Sequence, residues 1–270
     1  MIIAKTLTIA GSDTSGGAGI QADLKTFQEL RVYGMTALTV VVAQNPANNW
    51  SHDIYPIPLE ALEAQIETVL AGIGVDALKT GMLGTLEMIS LIARKLDQYK
   101  VRNVVVDPVM VCKGTDEVLN PETAVGIREQ LLPRATVVTP NVFEASQLSG
   151  MYIKSVEDMR AAAMKIHALG PQCVVIKGGA KLGTETAVDI LYDGREFVTL
   201  ESPKVETSYT HGAGCTFSAA ITAELAKGRP VREAVLVAKK FITAAIRHGF
   251  PLNDYVGPTY HAAHRVFGEN

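Results

Sequence analysis

Short apolar runs alternate along the chain with longer segments in which apolar residues recur every three or four positions. The short runs predict strands, at residues 7–10, 37–43, 75–79, 103–106, 136–138 and 174–176. The longer segments predict helices, at residues 20–30, 61–70, 83–96, 124–132, 142–148, 156–169, 215–226 and 231–247. Residues 187–192 and 197–200 predict a hairpin across Asp193-Gly194. This alternation favours an α/β fold with a mainly parallel sheet and right-handed crossovers.

Polar residues and glycines recur where the predicted strands end. They are Gly11, Gln44, Gly81, Asp107, Asn141 and Lys177. Ligands of parallel sheets bind beyond the carboxyl ends of the strands. The sequence therefore predicts one binding site built from these strand ends.

The stretch THGAGCTFS at residues 210–218 precedes an apolar, helix-compatible run. Unpaired amides and the helix dipole make a helix N-terminus attractive to anions, and glycines allow a phosphate to approach. Gly212, Ala213 and Gly214 therefore predict an anion hole. Cys215, on the first turn, is expected to have a lowered pKa and to accept a proton. The alternative is a glycine turn followed by a buried, inert cysteine.

A second glycine-rich loop, at residues 11–19, follows the first predicted strand. Residues 17–22 match the dinucleotide pattern G-x-G-x-x-A, but the acid that should end the next strand is absent. A phosphate-binding P-loop is excluded because Gly17-Ala18 stands where Lys-Ser/Thr is required. We expect a tight loop that brings Asp13 and Gln44 round a small molecule. Asp13 could instead be an ordinary loop or cap residue.

Several polar side chains near the strand ends suit phosphate chemistry. Asp107 could hold Mg²⁺ beside phosphates, or could cap a turn. Asn141 and Glu144, three residues apart, could bind hydrated Mg²⁺, or could form a capping box, and both could hold at once. Lys177 could reach a phosphate as a point charge, or could be a solvated strand end. Cys112, next to a lysine, could be nucleophilic, or could be an idle loop residue.

Composition narrows the functional classes. The 270 residues, 47% hydrophobic and 20% charged, fit a single globular domain spanning residues 1–270. A net charge of −3 gives no reason to expect nucleic acid or an anionic membrane as partner. Three cysteines favour a reducing cytoplasm over a disulfide framework. We expect neither a signal peptide nor a membrane span, because no apolar run is long enough.

Six segments together resemble the ribokinase superfamily, specifically its branch of vitamin kinases that act on hydroxymethyl heterocycles. They are AGSDTSGGAGIQAD at 10–23, KTGM at 79–82, DPVM at 107–110, TPNVFE at 139–144, IKGG at 176–179 and THGAGC at 210–215. The resemblance implies a ribokinase-like three-layer α/β/α fold with a small lid, for which residues 110–117 are the candidate. It also implies ATP and Mg²⁺, with a monovalent cation as a further candidate, and a homodimer.

The resemblance also implies roles for individual residues. The substrate would contact Gly11, Asp13, Asp23, Gln44, Met82, Val109 and Cys112. The nucleotide would contact Asn141, Glu144, Lys177, Gly178, Gly179, Asp189, Thr210 and Gly214. Asp107 and Glu144 would hold the metal, and Cys215 would be the base beside the hole at 212–214. Most of the superfamily has aspartate where Cys215 stands, and cysteine marks this branch.

Two residues point to different substrates. The segment DPVMVCKG at 107–114 resembles pyridoxal kinases of this branch, in which Cys112 would add reversibly to the substrate aldehyde. Gln44 resembles the pyrimidine kinases, in which an amide pairs with the ring edge. We expect phosphorylation of pyridoxal, pyridoxine and pyridoxamine to their 5′-phosphates. The alternatives are a hydroxymethylpyrimidine or hydroxymethylpyrimidine phosphate kinase of thiamine biosynthesis, and a non-catalytic nucleotide-binding regulator.

Overall fold

A computed structural model describes residues 3–110, 121–179, 182 and 184–268. Its strands form one nine-stranded sheet in the order β3-β2-β1-β4-β5-β6-β7-β8-β9. The strands are β1 Lys5–Asp13, β2 Tyr33–Asn45, β3 Ser51–Pro56, β4 Ala77–Thr80, β5 Val104–Val106, β6 Val137–Val138, β7 Cys173–Gly179, β8 Thr186–Tyr192 and β9 Phe197–Pro203. Strands β2, β1, β4, β5, β6 and β7 are parallel, and β3, β8 and β9 extend the sheet in antiparallel pairings.

Helices cover both faces of the sheet. They are α1 Gly19–Glu29, α2 Leu59–Leu70, α3 Leu86–Tyr99, α4 Pro121–Gly126, α5 Val142–Ser149, α6 Val156–His167, α7 Ala213–Ala226, α8 Val231–Arg247 and α9 Ala263–Phe267. One apolar core joins the sheet to α2, α3, α5 and α6. A second core joins the opposite face to α7 and α8, and a small cluster packs α1 against α7. The predicted three-layer α/β/α fold with a mainly parallel sheet is confirmed.

The buried strands show why the hydrophobic pattern predicted the sheet. The three valines of β5 are completely buried, because helices cover both faces of a parallel sheet. Strand β3 was missed, because its sequence SHDIYP mixes polar and apolar residues at the edge of the sheet. The short helix α9 was also missed.

The segment predicted as a helix at 124–132 begins earlier, at Pro121, and changes form along its length. Helix α4 continues into a π-helical turn at Ile127–Leu131 and a 3₁₀ turn at Leu132–Arg134. Pro133 lacks an amide hydrogen, so an α-helical ladder cannot continue through it.

Since the six parallel strands run in one direction, their carboxyl ends meet at one edge of the sheet. That edge carries the ends of β1, β2, β4, β5, β6 and β7, as expected from the polar residues there. The chain crosses from one half of the sheet to the other between β1 and β4. Ligands of open α/β sheets bind at such a switch point. The lid candidate lies outside the described residues from position 111 to 117.

Candidate active site

The loop after β1 is built round the carboxylate of Asp13. One oxygen accepts hydrogen bonds from Ser15 N at 2.9 Å and from Gln44 Nε2 at 2.6 Å. The other accepts from Ser15 Oγ at 2.9 Å, Ala18 N at 2.8 Å and His211 Nε2 at 2.7 Å. Burial favours the neutral acid, but these hydrogen bonds and the His211 ring outweigh it and hold the pKa of Asp13 well below its usual value. Asp13 therefore joins Gln44 to both glycine loops.

The two glycine loops are in direct contact. Gly212 has a φ of +78°, and a Cβ on it would overlap the carbonyl oxygen of Gly17. A Cβ on Gly17 would in turn lie 2.5 Å from the His211 ring. Glycine is required at these positions because the backbones approach too closely for a side chain.

Helix α7 begins with two amides that lack acceptors in the described chain, and Lys177 lies close to Gly214. Gly212 is the N-cap residue and supplies no side-chain cap. Ala213 N donates to Thr210 O at 3.1 Å, whereas the amides of Gly214 and Cys215 have no acceptor within the described chain. A Cβ on Gly214 would lie 3.4 Å from Lys177 Nζ. The helix dipole and the ammonium thus give this point a positive potential, as an anion site requires.

Asp107 lies beside this positive site, with almost no exposed surface. Its Oδ1 is 3.2 Å from Lys177 Nζ and accepts from Thr139 Oγ1 at 3.3 Å, and its Oδ2 accepts from Ser218 Oγ at 3.1 Å. Burial raises the pKa of Asp107, but the charges of Lys177 and Lys79 and the hydrogen bonds from Lys177 and Ser218 outweigh it, so the pKa lies below its usual value. Asp107 is therefore an ionised carboxylate held next to the anion site.

Asn141 and Glu144 form the capping box of α5. Glu144 N donates to Asn141 Oδ1 at 2.9 Å, and Asn141 N donates to Glu144 Oε2 at 2.8 Å. Asn141 also pairs with Lys177 in an isolated bridge between neighbouring strand ends. The capping interpretation is confirmed, and the role of this pair toward a metal or nucleotide stays a prediction.

The residues present fit a divalent cation. Burial raises the pKa of Glu144 to about 7; Lys177 opposes this shift and Asp107 adds to it. Two buried carboxylates that disfavour each other's charge are an arrangement that Mg²⁺ would stabilise, with phosphate oxygens and water as its remaining ligands. In the described part of the chain, no three His, Cys, Asp or Glu side chains are grouped to hold a metal on their own.

Cys215 is half-buried at the start of α7. Burial raises the pKa of its thiol to about 12; Lys79 and the Gly19 amide lower it, and the carboxylates of Asp23 and Asp107 raise it. The expected lowering of the Cys215 pKa is therefore wrong. Removal from water and two nearby negative charges outweigh the helix dipole.

Asp23 and Lys79 form an ion pair beneath the site. Lys79 Nζ lies 2.9 Å from Asp23 Oδ2 and 3.0 Å from Oδ1, and Thr8 Oγ1 donates to Oδ2 at 2.6 Å. Both charged side chains are completely buried. The structure thus places Asp23 under the site, and its direct contact with substrate stays a prediction. The sequence analysis assigned no role to Lys79.

Asp189 was expected to contact the nucleotide, but both of its oxygens are engaged inside the fold. Oδ2 pairs with Lys239 Nζ at 2.7 Å, and Oδ1 accepts from Gly179 N at 3.1 Å. A Cβ on Gly178 would overlap Val188 O, where β7 bulges beside β8. Asp189 therefore fixes the strand end that carries Lys177.

The remaining expected residues lie around the same edge. A Cβ on Gly11 would lie 3.9 Å from the Met82 Cβ, and Met82 O accepts from Thr39 Oγ1 at 2.6 Å. Val109 is half-buried, and its amide donates to Asp107 O at 2.9 Å. Cys112 lies outside the described residues.

The sequence analysis missed the polar residues that hold the expected site residues in place. They are Lys79, which pairs with Asp23, Thr139 and Ser218, which donate to Asp107, and His211, which donates to Asp13. Lys79 carried one usable signal, since a lysine at the end of an apolar strand must find a buried partner. Thr139 and Ser218 carried no such signal in the sequence, because serine and threonine are common in folded elements of every kind.

Comparisons with known proteins identify the family of the chain. The family described as phosphomethylpyrimidine kinase matches residues 13–260. The pyridoxine kinase of Bacillus subtilis is 64% identical over 267 residues, which are 98% of each chain. An ADP complex of Bacillus subtilis pyridoxal kinase has a TM-score of 0.95 at 64% identity, covering 98% of this chain and 100% of that one. A structure of Staphylococcus aureus pyridoxal kinase in complex with AMP-PCP and pyridoxal matches with a TM-score of 0.93 at 50% identity. This match covers 98% of this chain and 96% of that one.

The fold, the strand-end site and these matches define a kinase. The chain belongs to the phosphomethylpyrimidine kinase family, within the ribokinase-like superfamily. No helix among the described residues is both long and apolar enough to cross a membrane.

Proposed function

We propose that this kinase transfers the γ-phosphoryl group of ATP to the hydroxymethyl group of pyridoxal, pyridoxine and pyridoxamine. The observation that carries the proposal is Lys177 Nζ, placed against Gly214 at the start of α7 and 3.2 Å from Asp107. The names of three similar proteins, a pyridoxine kinase and two pyridoxal kinases, support this substrate class.

Phosphoryl transfer has a loose transition state, so positioning and charge neutralisation supply most of the catalysis. The amides of Gly214 and Cys215 and the Lys177 ammonium would bind the oxygens of the transferred group. Asp107 and Glu144 would hold Mg²⁺, which would neutralise phosphate charge. The substrate oxygen forms a bond to the γ-phosphorus while the bond to the β-phosphate oxygen breaks, and ADP leaves.

Cys215 would take the proton of the substrate hydroxyl group. A pKa of about 12 means that the resting thiol keeps its own proton at neutral pH. The base role of Cys215 therefore depends on positive charge close to the sulfur. Neutralising Asp107 would remove one of the negative charges that raise the pKa of the Cys215 thiol. The sulfur can accept the substrate proton only after its own proton has left to solvent. Because a loose transition state needs little proton transfer, the substrate proton leaves late, onto the thiolate.

The substrate end would be formed by Gly11, Asp13 and Gln44, at the carboxyl ends of β1 and β2. Gln44 Nε2 already donates to Asp13 at 2.6 Å, so the carbonyl oxygen of the Gln44 amide is the group free to accept from a substrate. An amide here also suits an aminopyrimidine, and the matching family is described as phosphomethylpyrimidine kinase. Hydroxymethylpyrimidine and its phosphate are therefore the second candidate substrates.

A coupled assay of ADP release tests the proposal. With Mg²⁺ and ATP, we expect kcat/KM to be higher for pyridoxal and pyridoxine than for hydroxymethylpyrimidine. Higher kcat/KM for hydroxymethylpyrimidine would assign the chain to the second candidate. Nucleotide binding without ADP release for any of these substrates would contradict both.

A further inference from the structure

The hairpin formed by β2 and β3 carries a histidine directly opposite Gln44. His52 of β3 and Gln44 of β2 are Cα partners in the antiparallel ladder. Directly opposite residues of such a ladder project from the same face of the sheet, with Cβ atoms about 4.5–5.5 Å apart. The Gln44 side chain reaches the end of β1, because its Nε2 donates to Asp13 at 2.6 Å. His52 therefore lies beside Gln44, on the face of the sheet that carries the Asp13 contact.

Asp53, the next residue of β3, shows the same orientation of the strand. Its Oδ2 accepts a hydrogen bond from Asn45 Nδ2 at 3.3 Å, so Asp53 and Asn45 share one face of the hairpin. Successive side chains of a strand project to opposite faces. This alternation places His52 and Gln44 together on the other face.

The His52 ring is neutral and free to bind a ligand. The residue is half-buried, and neither of its ring nitrogens has a hydrogen-bond partner among the residues that the structure describes. Burial lowers the pKa of His52; His211 lowers it further and Asp13 opposes the shift. A neutral imidazole has one N–H donor and one acceptor nitrogen. His52 therefore brings a free hydrogen-bond donor to the wall beside Gln44.

The tip of the hairpin is fixed to another part of the fold. Trp50, two residues before His52, stacks on Tyr255 with ring centroids 6.1 Å apart and an interplanar angle of 25°. Two residues after Tyr255, the Gly257 carbonyl accepts a hydrogen bond from His211 N at 3.0 Å. The edge strand that carries His52 is thus tied to the glycine loop at the start of α7.

The substrate ring of the proposed reaction has two edges to place. Its reacting hydroxymethyl group must lie at the start of α7, so the opposite edge of the ring points toward β1, β2 and β3. In pyridoxal, pyridoxine and pyridoxamine that edge carries a 3-hydroxyl group, an acidic phenol that is ionised at neutral pH. Hydroxymethylpyrimidine has an unsubstituted ring nitrogen at the corresponding position. The 3-oxygen therefore distinguishes the two candidate substrate classes at this edge.

We propose that His52 is a specificity-determining residue whose ring N–H donates a hydrogen bond to the 3-oxygen of pyridoxal, pyridoxine and pyridoxamine. The inference rests on the proposed function, because it takes one of these substrates to be bound beside Gln44. A hydrogen bond to an ionised oxygen is stronger than one between neutral groups. Hydroxymethylpyrimidine has no oxygen there and gains no such bond. His52 thus offsets Gln44, whose amide also suits an aminopyrimidine.

Removing the oxygen from the substrate and the imidazole from the protein tests this contact. The kcat/KM values for pyridoxine and 3-deoxypyridoxine are measured by ADP release with the wild-type chain and with His52→Ala. We expect the wild-type chain to prefer pyridoxine by roughly 10- to 100-fold, the effect of one hydrogen bond to a charged group. His52→Ala should lower kcat/KM for pyridoxine by a similar factor and change that for 3-deoxypyridoxine by less than about twofold. Equal losses with the two substrates would overturn the proposal.

Two further variants separate a lost contact from damage to the strand. His52→Gln keeps an N–H donor and should recover part of the preference for pyridoxine. Asp53→Ala changes the opposite face of β3 and should leave kcat/KM for both substrates within about twofold of wild type. If Asp53→Ala reduced the preference for pyridoxine as much as His52→Ala does, a general effect of β3 would replace the proposed contact.

Binding without ATP gives a readout that does not depend on turnover. Isothermal titration measures the Kd of pyridoxine and of hydroxymethylpyrimidine for the wild-type chain and His52→Ala, after circular dichroism has checked the fold of the variant. We expect the Kd of pyridoxine to rise by roughly 10- to 100-fold and that of hydroxymethylpyrimidine to change by less than about twofold. An unchanged Kd of pyridoxine would contradict the contact.

The two readouts also separate this inference from the function on which it rests. A wild-type chain that binds pyridoxine through His52 but releases no ADP would contradict the proposed kinase function and support the contact. A chain that phosphorylates pyridoxine equally well with and without the His52 ring would support the proposed function and overturn the inference.

Discussion

The Nε2 atom of His211 donates a hydrogen bond to Oδ2 of Asp13 at 2.7 Å, across 198 residues of sequence. A carboxylate can only accept, so this contact places a proton on Nε2 of the ring. His211 directly precedes the glycines at the start of α7, and Asp13 begins the loop that packs on them. The contact therefore ties the expected substrate loop to the expected phosphate loop.

Replacing Asp13 by asparagine should reduce stability in a pH-dependent manner. The folded state holds the pKa of Asp13 below its ordinary value of 3.8, so the stabilisation from Asp13 is fully present above that pH and is lost as pH falls toward the folded pKa. We expect Asp13→Asn to lower the free energy of unfolding by about 1–3 kcal/mol at pH 7. In urea unfolding, the gap to wild type should narrow below about pH 4.

Asp97→Asn is the control, because Asp97 is an exposed partner of Arg134 at 2.6 Å. Its effect should be about 1 kcal/mol or less. An Asp13→Asn deficit of constant size from pH 7 to pH 3 would contradict the ionised role of Asp13.

Gly212→Ala should disrupt the contact between the two loops. Alanine at a φ of +78° is strained, and its Cβ would overlap Gly17 O. We expect a loss of about 3 kcal/mol or more in unfolding free energy, with loss of nucleotide binding. Gly228→Ala is the matched control, since Gly228 has a φ of +84° with nothing within 4 Å of its Cβ position. It should cost about 1–2 kcal/mol and leave binding intact. Equal losses of unfolding free energy in the two variants would show that backbone strain, and not the overlap with Gly17, determines the effect.

Cys215→Ala should lower kcat by about 10²–10⁴-fold, the usual contribution of a general base. ATP affinity should change much less, because the amides of α7 remain. Steady-state kinetics and isothermal titration with an ATP analogue measure the two effects. Cys173→Ala, in the apolar core, should leave kcat unchanged. Unchanged turnover of Cys215→Ala would exclude the sulfur as the base.

Cys112→Ala tests the expected addition to an aldehyde. A thiolate and an aldehyde form a reversible hemithioacetal, which pyridoxine cannot form because it has no aldehyde. We expect the variant to lose more kcat/KM with pyridoxal than with pyridoxine, measured by ADP release. Equal losses with the two substrates would count against the adduct.

The sequence alone determined the layers and predicted the edge of the sheet at which the candidate site lies. The β-branched runs and amphipathic segments predicted the parallel sheet, because burial on both faces leaves that pattern in a strand. Polar residues at strand ends, such as Asp107 and Lys177, predicted the site, because parallel strands bring their carboxyl ends to one edge. Most elements were placed to within a few residues, except the edge strand β3 and the short α9.

The tertiary structure alone decided the charge state of the site. The helix N-terminus predicted a low pKa for Cys215, but burial and the approach of Asp23 and Asp107 raise it. It also decided that Asp189 pairs with Lys239, and that Lys79 pairs with Asp23. Hydrophobic periodicity records which face of an element is buried. It does not record which distant charges meet there, because electrostatic energies depend on distances and desolvation that exist only in the folded chain.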